Sequence, residues 1–455
     1  MQSRTGILLI LGMLISLPAF AQTDQDATTA DTQTPDQTEM ALPPPVSGLP
    51  YATDVGAEAR QNYLRIGLTT GGGYVRNLDP RGGAIGQNVN ETMYLIEPDF
   101  QMNRSSTRFQ SRIVYRPSFS WYKLPKVVST TDQNVLANVT YRVSQHVTFL
   151  AGEDFEKSTT AFGQITPTFQ PTVGGANQFN TAEIYGLFEP QIRNHSEAGL
   201  SWQFALNDMV AGSGWVQTLH FTNPANSGGM YDTLGSGASG SWVHRLSLSQ
   251  YVGGIYQYSW AEANPVSASE VGHSNTEGDN LLGFYTAYLQ PRLSISVEGG
   301  GQHYTLKQAG FPNYSAWAPS GTASMSWQGE HTNFAVSYGH AIAAGEGALD
   351  AFNTNDAAVS GRWQLSRAWM ANVDGSYSML SNVAPQTYAG SVIGRGHMIS
   401  GSAALRYQIT PVLQLNGNYA RIHQSYQTIP SIKANPDSDR VLFSLTYLLQ
   451  RPLGR

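Results

Sequence analysis

Phe109-Gln110-Ser111-Arg112-Ile113-Val114-Tyr115-Arg116 is the stretch whose pattern decides the fold. Its odd positions are mostly apolar, and the even ones, starting one residue earlier, hold Arg108, Gln110, Arg112 and Arg116. Successive side chains of an extended chain point to opposite faces, so this segment reads as a strand with one oily and one charged side. Just before it, Tyr94, Ile96, Phe100 and Met102 alternate with Glu97, Asp99, Gln101 and Asn103. A hairpin turn over residues 104–106 would set those carboxylates across from the arginines.

Outward from this hairpin the same alternation runs to the end of the chain, as in Ala198-x-Leu200-x-Trp202-x-Phe204 and Val441-x-Phe443-x-Leu445-x-Tyr447. Segments of this kind fall at 62–75, 92–103, 107–122, 132–144, 146–157, 179–193, 195–206, 230–246 and 249–261. They continue at 279–290, 292–304, 316–328, 330–341, 354–366, 368–380, 397–409, 411–425 and 437–449. That makes about eighteen strands (16–18). The connections alternate in length. Tight turns are expected at 103–106, 144–145, 193–194, 290–292, 328–330, 366–367 and 410–411, and long Gly-, Asn- and Pro-rich loops at 158–178, 207–229, 262–278, 381–396 and 426–436. A β-propeller would also give hairpins in series, but these segments are long enough to cross a bilayer when tilted, and no Gly-His or Trp-Asp blade signature recurs. The pattern therefore implies an all-β fold: a single antiparallel transmembrane β-barrel with short turns at one rim and long loops at the other. Trp202, Phe204, Trp363, Trp369 and Phe443 would face outward.

Composition agrees with this architecture. Charged residues make up 13% of the chain, while Gly, Ser, Thr, Asn, Gln, Tyr and Trp are abundant, which suits a wall with lipid outside and a polar interior. Residues 1–21 read as a signal peptide, with Arg4, an apolar run from Ile7 to Leu17, and Ala19-Phe20-Ala21 at the cleavage site. That run is too short to span a membrane as a helix. Residues 22–60 are rich in Thr, Gln, Asp and Pro, lack apolar periodicity, and read as a disordered linker or, alternatively, a short plug or partner-binding tail. The barrel would then occupy 61–455. Of the 32 acids and 26 bases in the chain, the linker holds seven acids and one base; without it and Arg4 the body has 24 bases against 25 acids. A nucleic-acid partner has no electrostatic footprint in such a body. Cysteine is absent, which removes disulfides, thiolate metal sites and thiol nucleophiles together.

On the alternation quoted above, 61–455 resembles the bacterial outer-membrane barrel and porin class. The resemblance is one of pattern, without a diagnostic motif. It implies an outer-membrane location with both termini periplasmic, lipid and the barrel-assembly machinery as partners, and a monomer or homotrimer. The chain departs from the class at its end, where Leu448-Leu449-Gln450-Arg451-Pro452-Leu453-Gly454-Arg455 follows Tyr447 in place of a terminal aromatic residue.

Alternation assigns Arg65, Glu97, Asp99, Arg108, Arg112, Arg116, Arg142, Asp154, Glu156, Glu183, Glu189, Arg193, Glu298, Arg362, Asp374, Arg406 and Arg440 to the inside, because a charge on the lipid face costs roughly 2–4 kcal/mol at midplane. The candidate selectivity set is Glu97, Asp99, Arg108, Arg112, Arg116, Arg142, Arg362 and Arg406. These could form a transverse field that filters hydrophilic solutes, or could neutralise one another in pairs; the row Arg108, Arg112, Arg116 favours the field. Trp121, Tyr122, Trp260, Tyr304, Trp317, Trp327 and Tyr426 read as interfacial girdle residues, with a sugar-stacking track as the other reading. Catalytic candidates are thin: His273-Ser274 in a loop, His195-Ser196-Glu197 in a tight turn, and His423 with Ser425 near a strand end. Neighbours on a strand face opposite ways, and the ten histidines show no metal-like clustering. The Gly235-Ser236-Gly237-Ala238-Ser239-Gly240 run has neither the nucleophile-elbow spacing nor a following Lys-Ser/Thr. The expectation is a channel without cofactor or metal, for hydrophilic solutes or export of a polysaccharide. A non-conducting structural or adhesive barrel, or an outer-membrane lipid hydrolase, stands as the alternative.

Overall fold

The computed structural model describes residues 62–76, 90–123, 130–159, 182–183, 190–222, 231–266, 272–290, 292–346, 351–383, 395–426 and 437–453. The expected signal peptide and linker, and Glu189, lie outside them. The strands are β1 (Tyr63–Arg76), β2 (Glu91–Ser105), β3 (Phe109–Tyr122), β4 (Thr130–Arg142), β5 (Val147–Ser158), β6 (Ala182–Glu183), β7 (Gln191–Gln203), β8 (Asp208–Phe221), β9 (Tyr231–Ser247) and β10 (Gln250–Pro265). They continue with β11 (Ser274–Gln290), β12 (Leu293–Gln308), β13 (Tyr314–Gln328), β14 (Thr332–Glu346), β15 (Ala351–Gln364), β16 (Trp369–Asn382), β17 (Arg395–Thr410), β18 (Leu413–Tyr426) and β19 (Asp437–Pro452).

Eighteen of these form one closed antiparallel barrel. Each pairs with its sequence neighbour, β5 pairs with β7 past the short β6, and β1 closes the ring against β19 from Tyr63↔Pro452 to Arg76↔Asp439. Closure leaves no sheet edge along most of the wall, which satisfies the backbone where no water is present to do so. The two-residue β6 pairs in parallel with Gly345 and Glu346 of β14.

Tight turns gather at the rim that holds Tyr63 and Pro452, and serines build several of them. Ser106 Oγ accepts from Phe109 N at 3.1 Å, Ser144 Oγ from Val147 N at 3.1 Å, and Ser366 Oγ from Trp369 N at 3.1 Å. Each hydroxyl satisfies the first amide of the strand that follows, the usual reason for serine in a turn.

Two of the expected elements are corrected. Residues 191–203 form one unbroken strand, so there is no turn at Arg193-Asn194 and His195-Ser196-Glu197 lies mid-strand. Asp208–Phe221 is a full strand where a loop was expected; of the expected strand 179–193, residues 179–181 and 184–189 lie outside the described residues, and Gln191 to Arg193 belong to β7. The alternation of β8 is diluted by Gly212-Ser213-Gly214; the closed barrel has the expected eighteen strands.

Register sorts the side chains cleanly. Outward positions carry Leu281, Trp202, Phe443 and Trp317, the last 72% exposed. Trp317 and Trp327 share the outer face of β13; ten residues at about 3.3 Å each, tilted about 40°, set them about 25 Å apart, the height of an outer-membrane apolar band. Inward positions carry a lattice of hydroxyl pairs between neighbouring strands: Thr286–Ser296 at 2.5 Å, Ser376–Ser400 at 2.6 Å, Ser294–Ser326 at 2.7 Å, Ser213–Ser239 and Thr69–Thr446 both at 2.9 Å. Such cross-strand pairs contribute roughly 0.2–1 kcal/mol each. They account for much of the serine and threonine in the chain.

Among the described residues, and apart from register shifts next to the tight turns, the ladder is interrupted at two places, each beside proline. Between β2 and β3 the pairs stop at Ile96↔Phe119 and resume at Phe100↔Tyr115, skipping Pro98 and Pro117. Between β13 and β14 they end at Gly321↔His340, two residues short of Pro319. A residue without an N–H cannot hold a continuous ladder on both sides.

Candidate functional site

The inner wall from β19 through β1 to β7 concentrates charge. Alternation along β1, β2 and β3 turns Arg65, Asp99 and Arg116 to the same side. Arg116 Nε donates to Asp99 Oδ1 at 2.8 Å, and Arg65 Nε lies 3.5 Å from Asp99 Oδ2. One carboxylate thus bridges arginines from both neighbouring strands, at the level where the β2–β3 ladder is interrupted and the side chains take over its role. Glu97, the next inward residue of β2, lies within electrostatic reach of Arg116 and of Arg440 on β19; Arg440 also feels Asp132 of β4. The result is a band that mixes both signs across five adjacent strands.

The other inward assignments fall as follows. Arg112 stands opposite Asn103 and Asn138, with no carboxylate in register. Arg108 precedes β3 in the turn, where its carbonyl accepts from Arg142 N at 2.7 Å, and both arginines lie at the tight-turn rim. Glu156 faces Arg193 across β5 and β7, and Asp154 faces His195. Arg406 stands opposite Met370, and Arg362 Nε donates to Met370 Sδ at 2.9 Å. Asp374 is inward and exposed, with Ser402 Oγ donating to it at 3.4 Å. Glu298 is buried opposite Phe284 and Thr322, away from the arginines. Glu183 belongs to β6.

The opposite wall differs in character. From β8 to β11 the inward residues Met209, Val243, Tyr251, Ile255, Leu282 and Phe284 form a buried apolar cluster. Two glycines make room for rings here. A Cβ on Gly237 would stand 2.7 Å from the Trp215 indole, and one on Gly253 2.5 Å from the Phe284 ring. Trp215 therefore lies flat on the Gly235–Gly237 stretch of β9, with the His195 ring stacked on it at 6.0 Å. The glycine run that resembled a catalytic loop by letter is the floor under an inward tryptophan. The signal was present in the sequence only as glycines and aromatics at inward positions of adjacent strands, and it becomes legible once register is known.

The girdle assignment needs correction at two places: Tyr122 and Tyr304 point inward, while Trp121, Trp260, Trp317 and Trp327 point outward. The side chain of Tyr426 lies outside the described residues. Above the apolar band the outer face becomes polar, where Arg421 Nη2 meets Asp437 at 2.8 Å and His423 Nδ1 meets the same oxygen at 3.0 Å.

The catalytic candidates are distributed rather than assembled. His273 lies 2.9 Å from Asn264 Oδ1 and 3.7 Å from Glu262, while Ser274 beside it is buried on the other face. His195 is inward, and Ser196 donates to Glu153 Oε2 at 2.5 Å on the outer face. Among the described residues no group of three or more His, Asp or Glu is placed to hold a metal ion.

No family model matches the chain, and no curated protein does. Solved structures with a similar barrel include the FrpB iron transporter from Neisseria meningitidis, at 10% identity and a TM-score of 0.41, covering 81% of this chain and 63% of that one. The ferric citrate transporter FecA gives 11% and 0.40, with 81% and 60% covered. Acinetobacter baumannii OccAB4 gives 8% and 0.39, with 87% and 100% covered. The chain spans about three fifths of the length of the two iron transporters it matches. The barrel described here is a closed antiparallel one of eighteen long strands.

Proposed function

We propose that this chain is an outer-membrane channel for passive passage of hydrophilic solutes, with its tight-turn rim and both chain ends on the periplasmic side. One observation carries the reading: a closed barrel apolar outside bears on its inner wall a hydroxyl lattice and a band of mixed charge that includes Arg65, Glu97, Asp99, Arg116 and Arg440. Charged rings and polar linings are how pores discriminate among hydrophilic solutes. The exposed side chains of Asp374, Arg142 and Arg406 face the same interior.

Swelling of liposomes that contain the purified protein tests this. Entry of small uncharged sugars and amino acids at rates above protein-free vesicles is expected; impermeability to all of them would refute the channel. A non-conducting structural barrel is the second reading. It is favoured by the approach of β9 and β14, five positions apart in the ring, to within 8 Å of one another, and the same assay separates the two.

A further inference from the structure

The upper end of β14 leaves the barrel wall. Its pairing with β13 covers only Asn333 to His340, although β13 goes on pairing with β12 as far as Tyr314 and β14 goes on pairing with β15 as far as Ala344. What replaces the lost neighbour is a side chain. Gln302 of β12, inward and 1% exposed, donates from Nε2 to Ile342 O at 2.8 Å and accepts from Ile342 N at its Oε1 at 2.8 Å. One amide supplies both hydrogen bonds that a strand would have given, so β14 must lie against the inner surface of β12.

Side-chain packing gives the same placement independently. Alternation puts Ile342 on the outward face of β14, the face of exposed Tyr338, yet Ile342 is buried against Tyr304 with Tyr314, Ala316 and Ala318 around it. Those are inward residues of β12 and β13. The outer face of β14 therefore rests on the inner face of its neighbours, in the manner of overlapping shingles, and the alanines at 316 and 318 leave the space it needs. Pro319, without an N–H, stands on β13 just past the point where the two strands part.

The step has a consequence for the interior. β9 and β14 are five positions apart in the ring, about 24 Å of wall at about 4.8 Å per strand. Their Cα atoms nevertheless come within 8 Å. We propose that the inward-stepped end of β14, from Ala341 onward, forms the constriction that sets the size limit of the lumen, and that Gln302 is the residue that positions it. This rests on the channel reading above and adds to it the element that does the sieving.

The test uses single-channel conductance and exclusion of neutral polymers of graded size, with the full chain. Gln302→Ala should raise both the conductance and the largest polymer admitted, because Ile342 loses both backbone partners and β14 is no longer pinned. A second variant guards against misfolding. Since the chain has no cysteine, Tyr304→Cys with Ile342→Cys gives a single cross-link; oxidised, it should hold conductance and cut-off at the lower level, and reduction should raise both. A conducting wild-type protein whose conductance and polymer cut-off are unmoved by Gln302→Ala and by cross-linking overturns the constriction alone. Silence of the wild type and of every variant overturns the channel reading and this inference with it.

Discussion

Charge pairing in the inner wall is local enough to be altered one side chain at a time. Asp99 holds Arg116 at 2.8 Å and Arg65 at 3.5 Å, whereas Arg112 has no carboxylate in register. Replacing Arg108, Arg112 and Arg116 together by Ala should therefore shift the reversal potential in a salt gradient towards cation selectivity; an unchanged potential would remove that row from the permeation path. The arginines and carboxylates could be placed on the inner face from alternation alone. Which of them meet could not, since that depends on strand register. The same holds for Gly237: Gly237→Leu should displace the Trp215 indole and lower stability in detergent by about 1–3 kcal/mol, the usual penalty of overpacking, as read from urea unfolding. Arg292, in the turn before β12, donates from Nη2 to Oε1 of Glu330, in the turn after β13, at 2.8 Å and holds that carboxyl below its ordinary range. Folding therefore favours the ionised form, and its contribution is present at neutral pH and fades as the pH falls through the lowered value. Arg292→Ala should return the Glu330 titration upward, as followed by carboxyl NMR.

Strands announce themselves when bulky apolar residues occupy every second position, because one face must meet lipid. Along β3 and β19 that condition is met and their extents were legible to within three residues. It fails along β8, where Gly212-Ser213-Gly214 interrupts the outer face, and a loop was read instead. The register of β8 predicts that a cysteine at Val216 faces lipid and one at Gln217 faces the interior. A fluorophore on Val216→Cys should be quenched by nitroxide lipids and one on Gln217→Cys should not; the opposite pattern would shift the strand by one residue and invert its faces. The departure of β14 from β13 was invisible to pattern reading as well. Pro319 marks where it begins, but the partner that accepts the displaced strand is Gln302, on β12.

At the scale of the whole molecule two walls face each other: one charged, from β19 to β7, and one built of hydroxyls and aromatic rings on glycine, from β8 to β13. The closed ring, its even strand number and the division of turns between the rims all follow from alternation and turn chemistry, so the fold was largely present in the sequence. The narrowing of the interior was not, because it arises from a single strand leaving its ladder. The central claim is that this interior conducts. Single-channel recording of the purified, refolded protein in a planar bilayer, at high and low salt, tests it most directly. Steady openings whose conductance rises with salt are the predicted result, and a protein that stays silent while resisting heat in detergent as a folded barrel would contradict it.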